Sequence, residues 1–379
     1  MKRPKLLFLV TEDWFFQSHF VALKRRALAE GYDVVIAARD TGRFKPEDLG
    51  GARLVGMPFA RGSLGLGSLQ REARSVRALM RQERPDIMHG IALKPIALML
   101  LAGRGEAGRV FAVTGRGYLA VARAPWTRFA AACLAFLLRR GLAHQRSVLM
   151  VENTTDRAWA ENGRALPDAR VVLMPGAGVE LEKFTAGPEP AGPIRIGIAS
   201  RLIWSKGVDV AVDAVTRLRE RGMAVELHIA GAPDSDNPEH VSGAEIERWR
   251  AAPGVRLLGR VADVNAFWAD MHIACLPSRG GEGLPRSLLE AAACGRPIVT
   301  TATPGCADFA GQDDIGILVP PGDVGALADA LERVAESRDL RQRMGAAARR
   351  RVEAGYTVQH ASDCASRAWK SALHNGSDS

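Results

Sequence analysis

Short apolar runs alternate with longer stretches in which apolar positions recur every third or fourth residue, and this alternation occurs twice along the chain. In the first half, Lys5 to Val10, Asp33 to Ala38, Arg53 to Pro58, Asp86 to Gly90, Arg109 to Thr114 and Ser147 to Glu152 predict strands. Phe20 to Glu30, Ser68 to Glu83 and Ile96 to Leu101 predict helices between them. The Pro/Gly-rich segment Gly187 to Pro193 interrupts the pattern. It restarts with strands Ile194 to Ala199, Val225 to Ala230, Val255 to Leu258, Met271 to Leu276 and Pro297 to Thr301, and helices Val208 to Arg221, Val264 to Ala269 and Leu284 to Cys294. Three further helical stretches follow, Val324 to Glu336, Asp339 to Ala354 and Val358 to Ser371. Alternation of this kind belongs to an α/β protein, and its repetition predicts two doubly wound, Rossmann-like parallel-sheet domains facing each other across a cleft.

A length of 379 residues with 47% hydrophobic and 25% charged content suits two such cores. Net charge is +9, mostly arginine, which suggests an anionic partner such as a nucleotide phosphate or acidic lipid. Nucleic acid is disfavoured, because no basic run is interleaved with aromatics. The five cysteines have no paired spacing, so neither a disulfide framework nor a zinc knuckle is indicated and a reducing cytoplasm fits. Lys2, Arg3 and Lys5 precede an apolar run too short for a signal peptide, which reads as the first strand.

The chemistry concentrates in Ser278-Arg-Gly-Gly-Glu-Gly-Leu-Pro-Arg-Ser-Leu-Leu-Glu290, a glycine-rich turn between a buried strand and a helix. Ligands of doubly wound sheets bind at such carboxyl ends, where free amides of the first helical turn, near Gly283 to Ser287, face anionic groups. Glu282 and Glu290 could accept hydrogen bonds from sugar and ribose hydroxyls; taken alone, such a pair is ordinary on a solvated helix face. Arg201 and Lys206 follow another strand end, where together they could neutralise a diphosphate. Asp234-Ser-Asp236 matches an Asp-x-Asp metal motif but lies in a polar loop and reads as a decoy, so no metal site is expected. Gly62 to Gly67 lacks a true G-x-G-x-x-G and a strand feeding it, which argues against a nicotinamide site.

Arg-Leu-x-x-x-Lys-Gly from Arg201, Ile-Ala-Gly-Ala-Pro, Leu-Leu-Gly-Arg-Val, Pro-Ser-(x)3-Glu-Gly-Leu-Pro-(x)4-Glu-Ala and Gly-Ile-Leu-Val-Pro-Pro-Gly-Asp occur in that order. The set resembles the family-4 retaining glycosyltransferases of the GT-B fold. Glu12-Asp-Trp-Phe-Phe-Gln-Ser-His19, His89-(x)4-Lys94-Pro95 and Thr114-Gly-Arg-Gly-Tyr118 are similar to bacterial capsular, exopolysaccharide and O-antigen transferases. The resemblance implies an acceptor-binding domain over residues 1–187, a nucleotide-sugar domain over 188–357, and a helix returning to the first domain over 358–379. It implies that Arg201 and Lys206 bind the diphosphate, Glu290 the ribose and Glu282 the donor sugar, that Gly283 and Leu284 offer amides, and that Arg260 and Val261 hold the nucleobase. No cofactor or metal is implied beyond the nucleoside-diphosphate sugar, with a UDP-hexose or UDP-N-acetylhexosamine expected. The acceptor would be a lipid-linked saccharide or other envelope precursor, with His19, His89 and Lys94 as candidate contacts and His19 as a catalytic candidate.

Two departures stand against the family pattern. The first loop is Trp14-Phe15-Phe16 in place of a glycine pair, and Thr114-Gly115 replaces a histidine. The missing glycines keep a non-catalytic scaffold open as an alternative; a nucleotide-sugar 2-epimerase of similar fold is a second, against which the Arg201/Lys206 and Glu282/Glu290 set argues. Asn153 is expected to orient a loop and Gly176 to Glu180 to form a turn near the domain junction. Finally, Phe129 to Leu138 is apolar, too short to span a bilayer, and set among arginines of the basic segment 116–146 near Trp126. It suits peripheral binding to an anionic membrane surface at the cytoplasmic face, or equally a core helix with solvated ends.

Overall fold

The computed structural model describes residues 3–60, 65–103, 105–117, 125–161, 166–311 and 314–374. Gly62 to Leu64 of the glycine stretch, Tyr118 and Arg123 lie outside them, as does the side chain of Trp126. Two compact units result: Met1–Ala177 with Val358–Ser379, and Gly178–Thr357.

The first unit runs β1 Lys5–Glu12, α1 Asp13–His19, α2 Val21–Ala29, β2 Asp33–Arg39, α3 Pro46–Leu49, β3 Arg53–Gly56, α4 Leu66–Glu83, β4 Ile87–Ile91, α5 Leu93–Ala102, β5 Gly108–Val113, α6 Pro125–Leu142, β6 Ser147–Val151, α7 Thr154–Glu161 and β7 Val171–Leu173. The second runs β8 Ile194–Ala199, α8 Val208–Glu220, β9 Val225–Ala230, α9 Gly243–Ala251, β10 Val255–Gly259, α10 Val264–Ala269, β11 Ile273–Leu276, α11 Arg286–Ala293, β12 Ile298–Thr301, α12 Pro304–Ala310, β13 Gly316–Val319, α13 Val324–Glu336 and α14 Arg338–Gly355. The last helix, α15 Val358–His374, packs on α2, β5 and β6 of the first unit.

Both sheets are parallel, ordered β3-β2-β1-β4-β5-β6-β7 and β10-β9-β8-β11-β12-β13. Side chains alternate across each strand, and helices cover both faces, so the central strands are predominantly apolar. Leu6, Phe8 and Val10 of β1 pack with Leu23 of α2 and Trp369 of α15. Leu7 and Leu9 face the other way, onto Val76 of α4 and Met99 of α5. In the second unit Ile273 and Cys275 of β11 meet Val215 of α8 and Leu331 of α13, while Ala274 and Leu276 meet Leu288 of α11 and Phe309 of α12.

Several elements depart from expectation. Trp14-Phe15-Phe16 is no loop: β1 passes directly into α1, whose entry is fixed by buried Asp13 accepting from Trp14 N and from Thr41 N and Oγ1. The periodicity also missed α7, α9, α12, β7 and β13, all too short to show a period clearly. The segment from Gly178 groups with the second unit, earlier than the expected boundary at 187, because Val179 and Phe184 are buried against Phe267 and Trp268.

The arginine excess has a structural use. A helix leaves its last carbonyls unpaired at the negative end of its dipole, and a guanidinium there contributes about 0.3–1 kcal/mol. Arg77 donates to Leu101 O and Ala102 O of α5, Arg146 to Ala372 O of α15, and Arg170 to Leu142 O of α6. In the second unit Arg296 caps Ala269 O of α10, Arg349 Ala293 O of α11, Arg351 Asp308 O of α12, and Arg341 Val334 O and Ala335 O of α13. Seven arginines are thus engaged by helix ends within the protein.

Candidate functional site

The second sheet reverses its strand order between β8 and β11, since the chain goes outward from β8 to β9 and β10 and then returns to the other side of β8. The helices that follow the two loops, α8 and α11, pack on opposite faces of the sheet, and doubly wound sheets bind ligands in the crevice outside the carboxyl ends of the strands at such a point. The loop after β8 carries Arg201 and Lys206; the loop after β11 carries Ser278 to Pro285.

Close backbone packing holds these loops together. Gly207 has φ +68°, and a Cβ there would lie 2.0 Å from Pro277 O. Thr301 Oγ1 donates to Ser278 O at 2.6 Å, tying the β11 loop to the end of β12. Across the crevice Lys206 Nζ meets Glu282 Oε1 at 2.5 Å, with both side chains largely buried. Ser278 Oγ lies 3.4 Å from the same carboxylate oxygen. A lysine and a glutamate from opposite loops thus meet at the switch point. Gly283 and Leu284 follow, buried, and lead into α11, whose amino terminus has no side-chain cap and closes with Leu288 N donating to Pro285 O at 3.1 Å.

The other expected donor residues are distributed around this centre. Arg201 is half-exposed, and its Nη1 is 2.6 Å from Asp234 Oδ2. Asp234, the first acid of the Asp-x-Asp sequence, is this arginine's partner; among the described residues no cluster of acids, histidines and cysteines is placed to hold a metal ion. Glu290 is buried inside α11 with Arg286 Nε at 2.8 Å. Burial pushes its carboxyl above the usual carboxylate range, and the Arg286 charge pulls the other way. Arg260 is exposed and Val261 half-buried beyond β10, whose end neighbours the Gly231 turn through the 2.7 Å bond from Gly231 N to Gly259 O.

The first unit's candidates are less suited to substrate. His89 is fully buried on β4, accepts from Trp369 Nε1 at 3.1 Å, and burial lowers its pKa to about 3. It is a neutral core histidine in contact with α15, which removes it from the acceptor candidates. Lys94 is drawn inward to buried Glu72, 2.9 Å away, and to Ala60 O, so it ties α5 to α4. His19, at the end of α1, remains half-exposed, with Nδ1 2.7 Å from Ser18 Oγ and its ring 4.7 Å from that of Phe15. Asn153 Oδ1 accepts from Asp156 N at 2.7 Å and starts α7, and Gly176 and Gly178 take positive φ in the turn expected there.

Comparison with known proteins agrees with this geometry. The family description "Glycosyl transferase 4-like" matches residues 5–151 and "Glycosyl transferases group 1" matches residues 193–337. The chain belongs to the group 1, 4-like glycosyltransferases. Curated relatives of the chain include the phosphatidyl-myo-inositol mannosyltransferase of Mycobacterium leprae, 31% identical over 45% of this chain and 46% of the relative. Another is the putative colanic acid biosynthesis glycosyltransferase WcaL of Escherichia coli, 33% identical over 41% of this chain and 39% of the relative. The chain therefore spans under half the length of these relatives. Its fold is similar to that of a Rickettsia africae glycosyltransferase, with a TM-score of 0.76 and 16% identity over 99% of this chain and 100% of that one. Anabaena HepE, solved with UDP and glucose, gives a TM-score of 0.72 and 16% identity over 95% and 98%. These likenesses establish the GT-B fold.

Sequence reading missed Asp234 as the partner of Arg201, and it missed Asp209, Arg279 and Gly305, whose places around the β11 loop appear only in three dimensions. The motif Thr303-Pro304-Gly305 after a strand was the available signal for a close helix start.

Proposed function

We propose that this glycosyltransferase moves a sugar from a nucleoside diphosphate, with UDP the expected nucleotide, to a lipid-linked saccharide or another envelope-polysaccharide precursor, retaining configuration and using no metal. The meeting of Lys206 and Glu282 at the switch point, beside the uncapped start of α11, carries this reading. Lys206 and Arg201 neutralise the departing diphosphate, the amides of Gly283 and Leu284 receive its oxygens or those of the sugar, Glu290 accepts from the ribose, and Glu282 from the sugar. The bond from the anomeric carbon to the diphosphate breaks, and the acceptor hydroxyl attacks from the same face through an oxocarbenium-like species, its proton passing to the departing diphosphate oxygen. Supporting the choice of donor, HepE is solved with UDP-glucose. Supporting the choice of acceptor, relatives are named for colanic acid and capsular polysaccharide biosynthesis.

The lipid-linked acceptor gives α6 a role. No described helix is long and apolar enough to cross a membrane, but α6 exposes Phe129 at 72% and Phe136 at 55%, with exposed Arg128 and Arg140 beside them. Apolar rings flanked by cations complement an anionic lipid surface at the cytoplasmic face.

The test supplies UDP-hexoses and polyprenyl-diphosphate saccharide in phosphatidylglycerol vesicles. Product is expected only when both substrates are present, and Phe129→Ser with Phe136→Ser should lower vesicle capture about tenfold or more, as removal of buried apolar area predicts. Donor conversion without acceptor would favour an epimerase, no turnover would favour a scaffold, and unchanged capture would remove α6 from membrane binding.

A further inference from the structure

Arg279 lies in the donor loop one residue after Ser278, and nothing in the nucleotide-sugar reading gives it a task. Its guanidinium nevertheless turns away from the glutamates and crosses to the other wall of the crevice. Nη1 donates to Asp209 Oδ1 at 2.8 Å and to Trp204 O at 2.7 Å, and Nη2 to Asp209 Oδ2 at 2.6 Å. The Arg279 backbone N–H adds a bond to Ser205 O at 2.7 Å. Ser278 Oγ joins the same carbonyl at 3.2 Å and receives Gly280 N at 3.2 Å. Asp209 is fixed in the first turn of α8, the helix that begins immediately after the Lys206-Gly207 loop.

We propose that Arg279 and Asp209 form a buckle that sets the position of Glu282 relative to Lys206, making Arg279 a positioning residue for the donor site. The proposal rests on the nucleotide-sugar reading for its functional consequence, although not for the buckle itself. A loop containing Gly280 and Gly281, both at positive φ, has little intrinsic stiffness. Its glutamate would wander unless the segment before it were fastened. The bidentate fork supplies a fixed distance and a fixed plane, which a lysine could not. The shared contact at Ser205 places the fastening next to Lys206, so the two walls move as one.

The experiment compares full-length wild type, Arg279→Met, Arg279→Lys, Asp209→Asn and the Arg279→Met/Asp209→Asn double variant. Amide hydrogen exchange without ligand reads the buckle, and calorimetry with UDP reads the site. In Arg279→Met, exchange at Trp204 to Gly207 and at Ser278 to Gly283 should accelerate about tenfold or more while the sheet amides stay unchanged. UDP should bind about tenfold more weakly, Arg279→Lys should recover only part of this, and the double variant should be no worse than either single one, as expected of one interacting pair. Should Arg279→Met fail to fold, Asp209→Asn, which preserves shape, carries the same comparison. Unchanged exchange in both loops, or additive effects in the double variant, would overturn the buckle. Faster exchange in a protein whose wild type does not bind UDP would leave the buckle intact and count against the nucleotide-sugar reading.

Discussion

Glu282→Ala is expected to slow sugar transfer by about a hundred- to a thousandfold, the loss typical when one preorganised polar contact to the reacting group is removed. The affinity for UDP should stay within a few fold. The two outcomes separate because of the partner seen for Glu282. Its carboxylate is held 2.5 Å from Lys206 Nζ, so the lysine charge is countered by this partner. Removing the carboxylate frees Lys206 to serve the diphosphate fully, which offsets any loosening of the loop. The sugar, by contrast, loses a charged acceptor. Lys206→Ala should behave differently, weakening UDP and slowing transfer together, because the cation belongs to the leaving group in both states. Steady-state transfer rates and UDP calorimetry on both variants check the pair. Wild-type turnover by Glu282→Ala would remove that residue from the mechanism, and a loss of UDP affinity as large as the loss of rate would reduce it to a support for Lys206.

Gly305→Ala should be nearly as damaging, although this residue touches no substrate in the proposed scheme. Gly305 sits in the first turn of α12, and a Cβ there would lie 1.3 Å from Gly283 O and 2.5 Å from Gly283 C. Such a contact cannot be accommodated by rotating a side chain, since both atoms are backbone. Either α12 retreats from the sheet or the Gly283 peptide turns away from its place before α11. Overpacking of this kind costs about 1–3 kcal/mol. Because Gly283 and Leu284 are the proposed amide donors, displacement by about an ångström should also cost roughly a hundredfold in rate. Thermal unfolding and transfer assays on the variant test this, and a stable variant with full activity would show that the Gly283 peptide is not a fixed part of the site.

Fold class was legible because β1, β8 and β11 are buried on both faces and therefore apolar at every central position, while α8 and α13 show a clean helical period. The loop after β11 was legible too, since glycines, Pro285 and two glutamates are compositionally distinct from the strand before and the helix after. What escaped was anything decided by partners distant in sequence. His89 and Lys94 looked like functional polar residues, and only packing against Trp369 and pairing with Glu72 make one a core histidine and the other an internal tie. Asp234 and Asp236 looked like a misplaced metal motif until the loop after β9 brought Asp234 to Arg201. The arginine content was legible as charge, but not that Arg77, Arg146, Arg170, Arg341 and Arg349 each meet helix-end carbonyls. Periodicity shows which face of a helix an arginine occupies, not which carbonyl lies opposite.

In the proposed reaction the crevice between the β8 and β11 loops holds a nucleoside diphosphate. Calorimetric titration of the full-length protein with UDP, GDP, ADP and TDP, repeated on Arg201→Ala, is the test. Selective binding of UDP by the wild type, weakened about tenfold or more by loss of one charged phosphate contact, is the predicted result. Absence of binding to any of the four, or UDP binding that Arg201→Ala leaves unchanged, would contradict it.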